Sequence, residues 1–189
     1  MVETILLAFL FSKLKGYKIK PLFKSYTIYP LIIFEILTII GQVATFFNNY
    51  KFIEIIGSLT AIYLMTYLLL VLKYELYISS IIGSMFIILG GILNDIAIKA
   101  NEGFMPVYQS LSYLTGRVPL ENFQKANDIH ILGDAQTKLK ILTDFIDLGY
   151  TILSIGDVFI RVFVFIIIYN TIKKINNQRR KENVKINSI

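Results

Sequence analysis

The single histidine of the chain, His130, lies close in the sequence to several carboxylates. Such a group could hold a metal ion through oxygen ligands, or a carboxylate could orient the imidazole as a general base. The carboxylates are Asp128, Asp134, Asp144 and Asp147. Because their spacing matches no dedicated ligand motif, the sequence favours a structural histidine and predicts no metal site and no cofactor.

A second set of polar side chains interrupts a long apolar segment and shares one helical face about 80° wide. Its members are Glu35, Thr38, Gln42, Thr45 and Asn49. An ionisable residue within a membrane span faces a bundle interior or a cavity. Glu35 is therefore expected in an interhelical hydrogen-bonded seam, with an ion or proton site as the alternative.

A charged pair marks the start of the last apolar segment. Ser154-Ile155-Gly156-Asp157 fits a capping box, in which the serine hydroxyl and the acid each bond a backbone amide of the other. Arg161 follows one turn later and requires a partner inside a span. Asp157 is the local candidate, and Asp95 and Gln42 are candidates on other helices.

Small and polar residues form two stripes on the segment before the long loop. One stripe is about 60° wide and the other lies about 120° away. Because small residues let helices approach closely in lipid, two stripes predict packing on two sides. The first contains Ser79, Gly83, Gly90, Asn94, Ala97 and Asn101, and the second contains Ser80, Ser84, Gly91 and Asp95.

Composition indicates where these side chains reside. Of the 189 residues, 55% are hydrophobic and 17% are charged, against about 45–50% and about 25% in soluble domains. The chain therefore reads as an integral membrane protein. It has no cysteine, which excludes disulfides and cysteine chemistry, and no catalytic motif is recognisable. We expect no enzymatic activity.

Hydropathy predicts an all-α membrane bundle with four full spans, since about 20 apolar residues cross a bilayer. The spans are 27–47, 52–72, 76–99 and 154–172. A short apolar helix over 2–12 precedes them, so that 1–174 form a single membrane domain. Residues 100–153 form a long loop, with helical spacing in 109–114 and 135–145, and 175–189 form a polar tail, disordered or a frayed helix end.

Positive charge sets the predicted orientation, since Lys and Arg near spans stay on the cytoplasmic side. One basic cluster lies in 13–24 and the other in 173–185. Both are expected inside, where they contact anionic lipids and no nucleic acid. The loop 100–153 then lies outside as a lid over the bundle. The expected location is the bacterial plasma membrane, with the C-terminus in the cytoplasm.

In this orientation most polar groups of the spans fall in the outer half, which predicts an outward-facing polar pocket beneath the loop. Glu35 extends this polar set inward. The candidate residues are Asn94, Asp95, Asn101, His130, Asp157, Arg161, Gln42 and Glu35, with Thr45, Glu54 and Ser58 at similar depth.

Several short motifs resemble a family of small, uncharacterised bacterial multi-pass membrane proteins that has only an unknown-function label. They are Asn94, Asn101 with Gly103, Met105-Pro106-Val107, His130, Thr137, Leu142, Asp144 and Ser154-Ile155-Gly156-Asp157. The resemblance implies a membrane bundle and no established activity. Family members often have a second glycine where this chain has Glu102.

These observations favour a non-enzymatic accessory, sensor or binding protein, with a membrane-protein partner or a homo-oligomeric state as its context. The alternative is a small solute or ion transporter or channel acting as an oligomer. Glu35 is the best argument for that alternative, because it would continue the polar stripe inward.

Overall fold

The computed structural model describes residues 1–47, 51–114 and 129–186, most of which are helical. Asn49 and Asp128 therefore lie outside the described residues, and the side chains of Thr45 and Glu54 are not described either. The helices are α1 (Val2–Leu14), α2 (Tyr29–Phe46), α3 (Lys51–Ser58), α4 (Thr60–Tyr74), α5 (Tyr77–Ala100), α6 (Leu111–Leu114) and α7 (Ile155–Ile186). The strands are β1 (Met105–Val107), β2 (His130–Leu132), β3 (Ile146–Asp147) and β4 (Ile152–Leu153).

Three of the described helices are long and apolar enough to cross a membrane: Tyr26–Ala44, Tyr77–Ala100 and Ile155–Lys185. The prediction of four full spans is not confirmed, because the segment 52–72 is divided between α3 and α4. At the break the hydroxyls of Ser58 and Thr60 donate to the carbonyls of Ile55 and Gly57, at 2.7 and 2.6 Å. Such side-chain bonds compete with helical hydrogen bonding.

The first and the last helix are both longer than the sequence predicts. α1 reaches Leu14, and its 13 residues span only about 20 Å. α7 continues as a helix to Ile186, so the polar residues after the apolar stretch are helical rather than disordered.

The chain divides into two compact units, of which the first comprises Met1–Ile40, Glu54–Ser84 and Arg161–Ile189. Its core includes Ala8 of α1, Tyr67 and Leu70 of α4, and Ile167 and Ile168 of α7, all without solvent exposure.

Within this unit α1 runs alongside α7 in the same direction. Glu3 pairs with Arg161, the ring of Phe11 lies 5.4 Å from that of Tyr169, and Lys18 meets Asn176. The contacts therefore advance together along both segments.

One end of the first unit collects the predicted basic segments. The Lys18 N–H donates to Asn176 Oδ1 at 2.8 Å, and Asn176 Nδ2 donates back to the Lys18 carbonyl at 2.9 Å. In addition, Lys174 Nζ lies 3.2 Å from a Glu75 carboxylate oxygen. The lysines of 13–24, the Glu75 turn and the basic part of α7 thus share one end.

The second unit comprises Gly41–Ile53 and Met85–Ile160, and the described part of the long loop is folded within it. We call its described residues, 101–114 and 129–153, the loop layer. β1 pairs with β2 in parallel, with Met105 opposite His130, and β3 pairs with β4 antiparallel. The fold is therefore mostly helical with four short strands among the described residues, rather than all-α.

The helix predicted over 135–145 is absent from the described structure, which has only a 3-10 turn at Lys140–Leu142. The Asp134 carboxylate accepts the Gln136 N–H at 2.8 Å, and such a local turn replaces a helical start. Leu139 then takes a left-handed conformation at φ +50°. The segment 109–114 yields only α6.

Two glycines bring α5 and the start of α7 into backbone contact. A Cβ on Gly90 would lie 2.4 Å from the Gly156 carbonyl oxygen, and a Cβ on Gly156 would lie 2.0 Å from Asn94 Oδ1. The first small-residue stripe therefore forms a packing face. In contrast, Gly91 has nothing within 4 Å of a Cβ and Asp95 is exposed, so these two positions of the second stripe make no such close contact within the described residues.

Gly90→Ala should destabilise the protein, because overpacked contacts cost about 1–3 kcal/mol and the neighbouring atom is backbone. Gly91→Ala is the matched control and should leave stability unchanged or slightly raised. Thermal unfolding in detergent, followed by circular dichroism, measures both. Equal melting temperatures for the two variants would contradict the close approach.

Candidate functional site

Asn94, Ser154 and Asp157 form a closed hydrogen-bonded cluster in the second unit. The Ser154 hydroxyl donates to Asn94 Oδ1 at 2.7 Å and accepts the Asp157 N–H at 2.9 Å. Asp157 Oδ2 accepts the Ser154 N–H at 3.1 Å, and Oδ1 accepts Asn94 Nδ2 at 3.0 Å. The predicted capping box is confirmed, and Asn94 completes it from the neighbouring helix.

This cluster is built to hold its members together rather than to change partners. Both carboxylate oxygens of Asp157 and both ends of the Asn94 carboxamide are engaged, and Ser154 is fully buried. A buried polar network whose members are all satisfied rigidifies the surrounding packing. The hydrogen bonds of the cluster therefore attach the start of α7 to α5.

Asn101 fastens the loop layer to the end of α5. Its Oδ1 accepts the Lys138 N–H at 2.9 Å, while Nδ2 donates to the carbonyls of Lys138 and Ala97 at 3.0 and 2.8 Å. One carboxamide therefore binds both backbone groups of one loop residue. This role is positional, and Asn101 is not in the described contacts of the Asn94 cluster.

His130 lies beside Asp144 in the loop layer, with 3.4 Å between Nε2 and a carboxylate oxygen. β1 lies between their segments, since Met105 pairs with His130 and Val107 bridges to Asp144. Among the described residues, no group of three or more His, Cys, Asp or Glu side chains could hold a metal ion. The described geometry of His130 is that of a histidine paired with a buried carboxylate.

Asp147 organises the chain before α6. Its carboxylate accepts the N–H groups of Ser110, Ser112 and Gly149, each at 2.8 Å, and the Ser112 hydroxyl at 2.7 Å. Burial raises the pKa of Asp147, but these hydrogen bonds to the charged form outweigh burial and lower the pKa to about 2. The sequence presented Asp147 only as one of several acids, because its partners Ser110 and Ser112 are 37 and 35 positions away and leave no local signal.

Glu35 and Arg161 belong to the first unit, where each has a partner that the sequence did not indicate. Arg161 donates to Glu3 Oε1 at 2.9 Å, and the Tyr63 hydroxyl donates to Glu35 Oε1. The α-amino group of Met1 lies 3.4 Å from the Glu3 carboxylate and 3.9 Å from that of Glu35. The described ion pair of Arg161 is thus with α1, whereas Asp157 serves as a cap.

The Glu35 site extends through a second tyrosine. The hydroxyls of Tyr63 and Tyr67 are 2.6 Å apart, and both rings are buried. These tyrosines lie one helical turn apart on α4, a spacing that could have been noticed in the sequence. Glu3 also had a signal, because it is the only acidic residue before Glu35.

The remaining candidates lie elsewhere. Asp95 is 57% exposed at its side chain and pairs with Lys99 at 2.5 Å. Thr38 donates to the Phe34 carbonyl of its own helix, and Gln42 is half-buried in the second unit. The structure therefore joins Asn94 to Asp157. Two of the eight predicted residues, Glu35 and Arg161, belong to the first unit, and the other six belong to the second.

Three helices that are long and apolar enough to cross a bilayer are typical of a helical membrane protein. Within this class the chain belongs to DUF5317, a family of unknown function whose model matches residues 19–169. No curated protein and no solved structure matches the chain.

Asp147→Asn should lower stability at pH 7 and lose that effect in acid. Because the folded pKa is about 2 against an ordinary 3.8, the charged carboxylate contributes about 2 kcal/mol above pH 4. This contribution is present above the unfolded pKa and is lost as pH falls towards 2. Melting temperatures of the wild type and variant should converge over this window.

Asp134→Asn provides a control, since this carboxylate is exposed and, within the described part of the chain, its bonds are to residues of its own turn. The melting temperature of this variant should differ little from that of the wild type, and the difference should not change comparably as the pH falls. An Asp147→Asn difference that is constant between pH 7 and pH 2.5 would contradict the assignment.

Proposed function

We propose that this protein is a multi-pass protein of the bacterial plasma membrane that works without catalysis, as an accessory, sensor or binding subunit. The loop layer is the surface through which it binds its partner or ligand. One observation carries the proposal: the polar side chains of the second unit fasten the loop layer to the end of α5 and the start of α7 to α5.

Catalysis and translocation both need polar groups that can exchange partners. The Asn94, Ser154 and Asp157 side chains instead bond one another, and Asn101 binds both backbone groups of Lys138. A loop that is held rigidly on a helical scaffold is the usual arrangement of a binding surface. The contacts therefore favour a presented surface over a reaction centre or a pathway.

The loop layer is placed outside the cell and the basic end of α7 inside. The separation of charge supports this orientation, because Lys and Arg are concentrated in 13–24 and 173–185.

Single cysteines can test the orientation, since the chain has none of its own. Gln136→Cys and Lys181→Cys both place a thiol at an exposed position. In intact cells, a membrane-impermeant maleimide should label the first variant, whereas the second should react only after permeabilisation. The opposite pattern would show that the orientation is inverted.

Native mass spectrometry of protein extracted gently from its own membrane tests the accessory role. The wild type should retain a stoichiometric partner or a bound small molecule, and Asn101→Ala should lose it because the loop layer is no longer clamped. Asn170→Ala is a matched control, since the Asn170 side chain donates to the Ile166 carbonyl of its own helix and has no other bond among the residues that the structure describes. Retention that is equal in both variants, or a bare chain in the wild type, would contradict the proposal.

A transporter or channel is the second candidate, and one observation favours it. Glu35 is only 8% exposed, and its Oε2 accepts no hydrogen bond within the described residues, with the Met1 amine 3.9 Å away. A buried carboxylate that has an oxygen without a hydrogen bond, beside two tyrosine hydroxyls, could bind a proton or a cation.

Reconstitution into liposomes separates the two candidates. Under the leading proposal, a potassium gradient with valinomycin should drive no proton entry beyond that of empty liposomes. Under the second, proton entry would be lost in Glu35→Gln and kept in Glu182→Gln, which alters an exposed carboxylate.

A further inference from the structure

A basic cleft of about 620 Å³ lies at one end of the first unit, between the turn after α1 and the polar part of α7. Two lysines from the turn and two arginines from the helix line it: Lys15, Lys18, Arg179 and Arg180. Glu182 is the single acidic residue in the lining. The cleft therefore holds four cationic groups against one carboxylate.

These cations have little compensation within the protein. No described ion pair joins any of the four to a carboxylate, whereas nearby Lys174 pairs with Glu75. Lys15 does lie over the Phe11 ring, with Nζ 5.7 Å from the centroid, which leaves its charge unneutralised. Like charges held together repel one another, so an anion in the cleft would be favoured.

The two walls of the cleft are held in place before any ligand arrives. Asn176 binds both the N–H and the carbonyl of Lys18, at 2.8 and 2.9 Å. Gly16 forms the bend at φ +78°, a left-handed conformation that glycine adopts without strain. A site that is organised in advance loses less entropy when a ligand binds.

Aromatic side chains place the cleft at the edge of the apolar region. The Tyr17 and Tyr169 rings are 6.2 Å apart, and Tyr169 stacks on Phe165 at 6.0 Å. Tyrosines concentrate where a membrane meets water. An acyl chain could follow the apolar faces of α1 and α7, while its headgroup enters the cleft.

We infer that this cleft is a specific binding site for a phosphate ester, supplied by the headgroup of an anionic phospholipid. Basic pockets at the ends of membrane helices bind such headgroups, and guanidinium groups match phosphate oxygens in geometry. The inference is independent of the role proposed for the loop layer.

Native mass spectrometry of the full chain in detergent, titrated with phosphatidylglycerol or phosphatidylcholine, tests this site. The wild type should bind one phosphatidylglycerol in preference to phosphatidylcholine. The triple variant Lys18→Gln, Arg179→Gln, Arg180→Gln should bind it about tenfold or more weakly, equivalent to about 1.4 kcal/mol.

A charge-matched variant separates a site from general attraction. Lys13→Gln, Lys20→Gln, Lys24→Gln removes three exposed lysines that do not line the cleft, and it should retain nearly full binding. Equal weakening in both triple variants, or no preference between the two lipids, would overturn the inference. Circular dichroism confirms that each variant is folded.

Inorganic phosphate distinguishes the source of the anion. If the lipid is the ligand, millimolar phosphate should neither bind one-to-one nor displace phosphatidylglycerol. Stoichiometric phosphate binding that is lost in the cleft variant would overturn the lipid assignment and identify a soluble phosphate as the ligand.

Discussion

The second unit depends on the contact between the backbones of Gly90 and Gly156. Each glycine occupies a place where a methyl group would meet a neighbouring oxygen within 2.5 Å. At this separation the Asn94 carboxamide reaches the Ser154 hydroxyl and the Asp157 carboxylate. In a membrane, where apolar side chains gain little by meeting one another, such close packing and interhelical hydrogen bonding are the main forces between helices. The contact therefore positions both the α7 cap and the chain that leads into it from the loop layer.

In the first unit, the buried polar contacts involve charged groups instead. Arg161 would be costly to bury alone, and the Glu3 carboxylate at 2.9 Å provides its counter-charge. This pair secures the beginning of α1, a helix too short to span a bilayer by itself, while Asn176 secures the chain that follows it through Lys18. Glu35 is satisfied on one oxygen by Tyr63. The polar residues of this unit thus form connections between segments far apart in sequence, whereas those of the second unit reinforce a backbone contact.

Local patterns were predictable from the sequence, and distant pairings were not. The capping box at Ser154 and Asp157 and the Gly90 stripe follow from helical spacing. The end of α5 also follows from the sequence. Glu102, just after it, has a left-handed φ of +60°. Glycine adopts this conformation more easily, which explains why family members often have a glycine at this position. The pairing of β1 with β2 and of Arg161 with Glu3 has no local signature. The break at Leu59 was missed because hydropathy does not detect hydroxyls bonding to the backbone.

The parallel course of α1 and α7 has a consequence for biosynthesis. Glu3 and Arg161, like Lys18 and Asn176, are separated by 158 positions, so α1 leaves the ribosome long before the helix that neutralises it. Until Arg161 has been synthesised, the Glu3 carboxylate lacks this counter-charge, and we expect it to stay near water or headgroups. Docking of α1 against α7 is therefore a late step. Contacts of such high sequence separation form slowly, because the chain loses the entropy of closing a long loop before the contact can stabilise it.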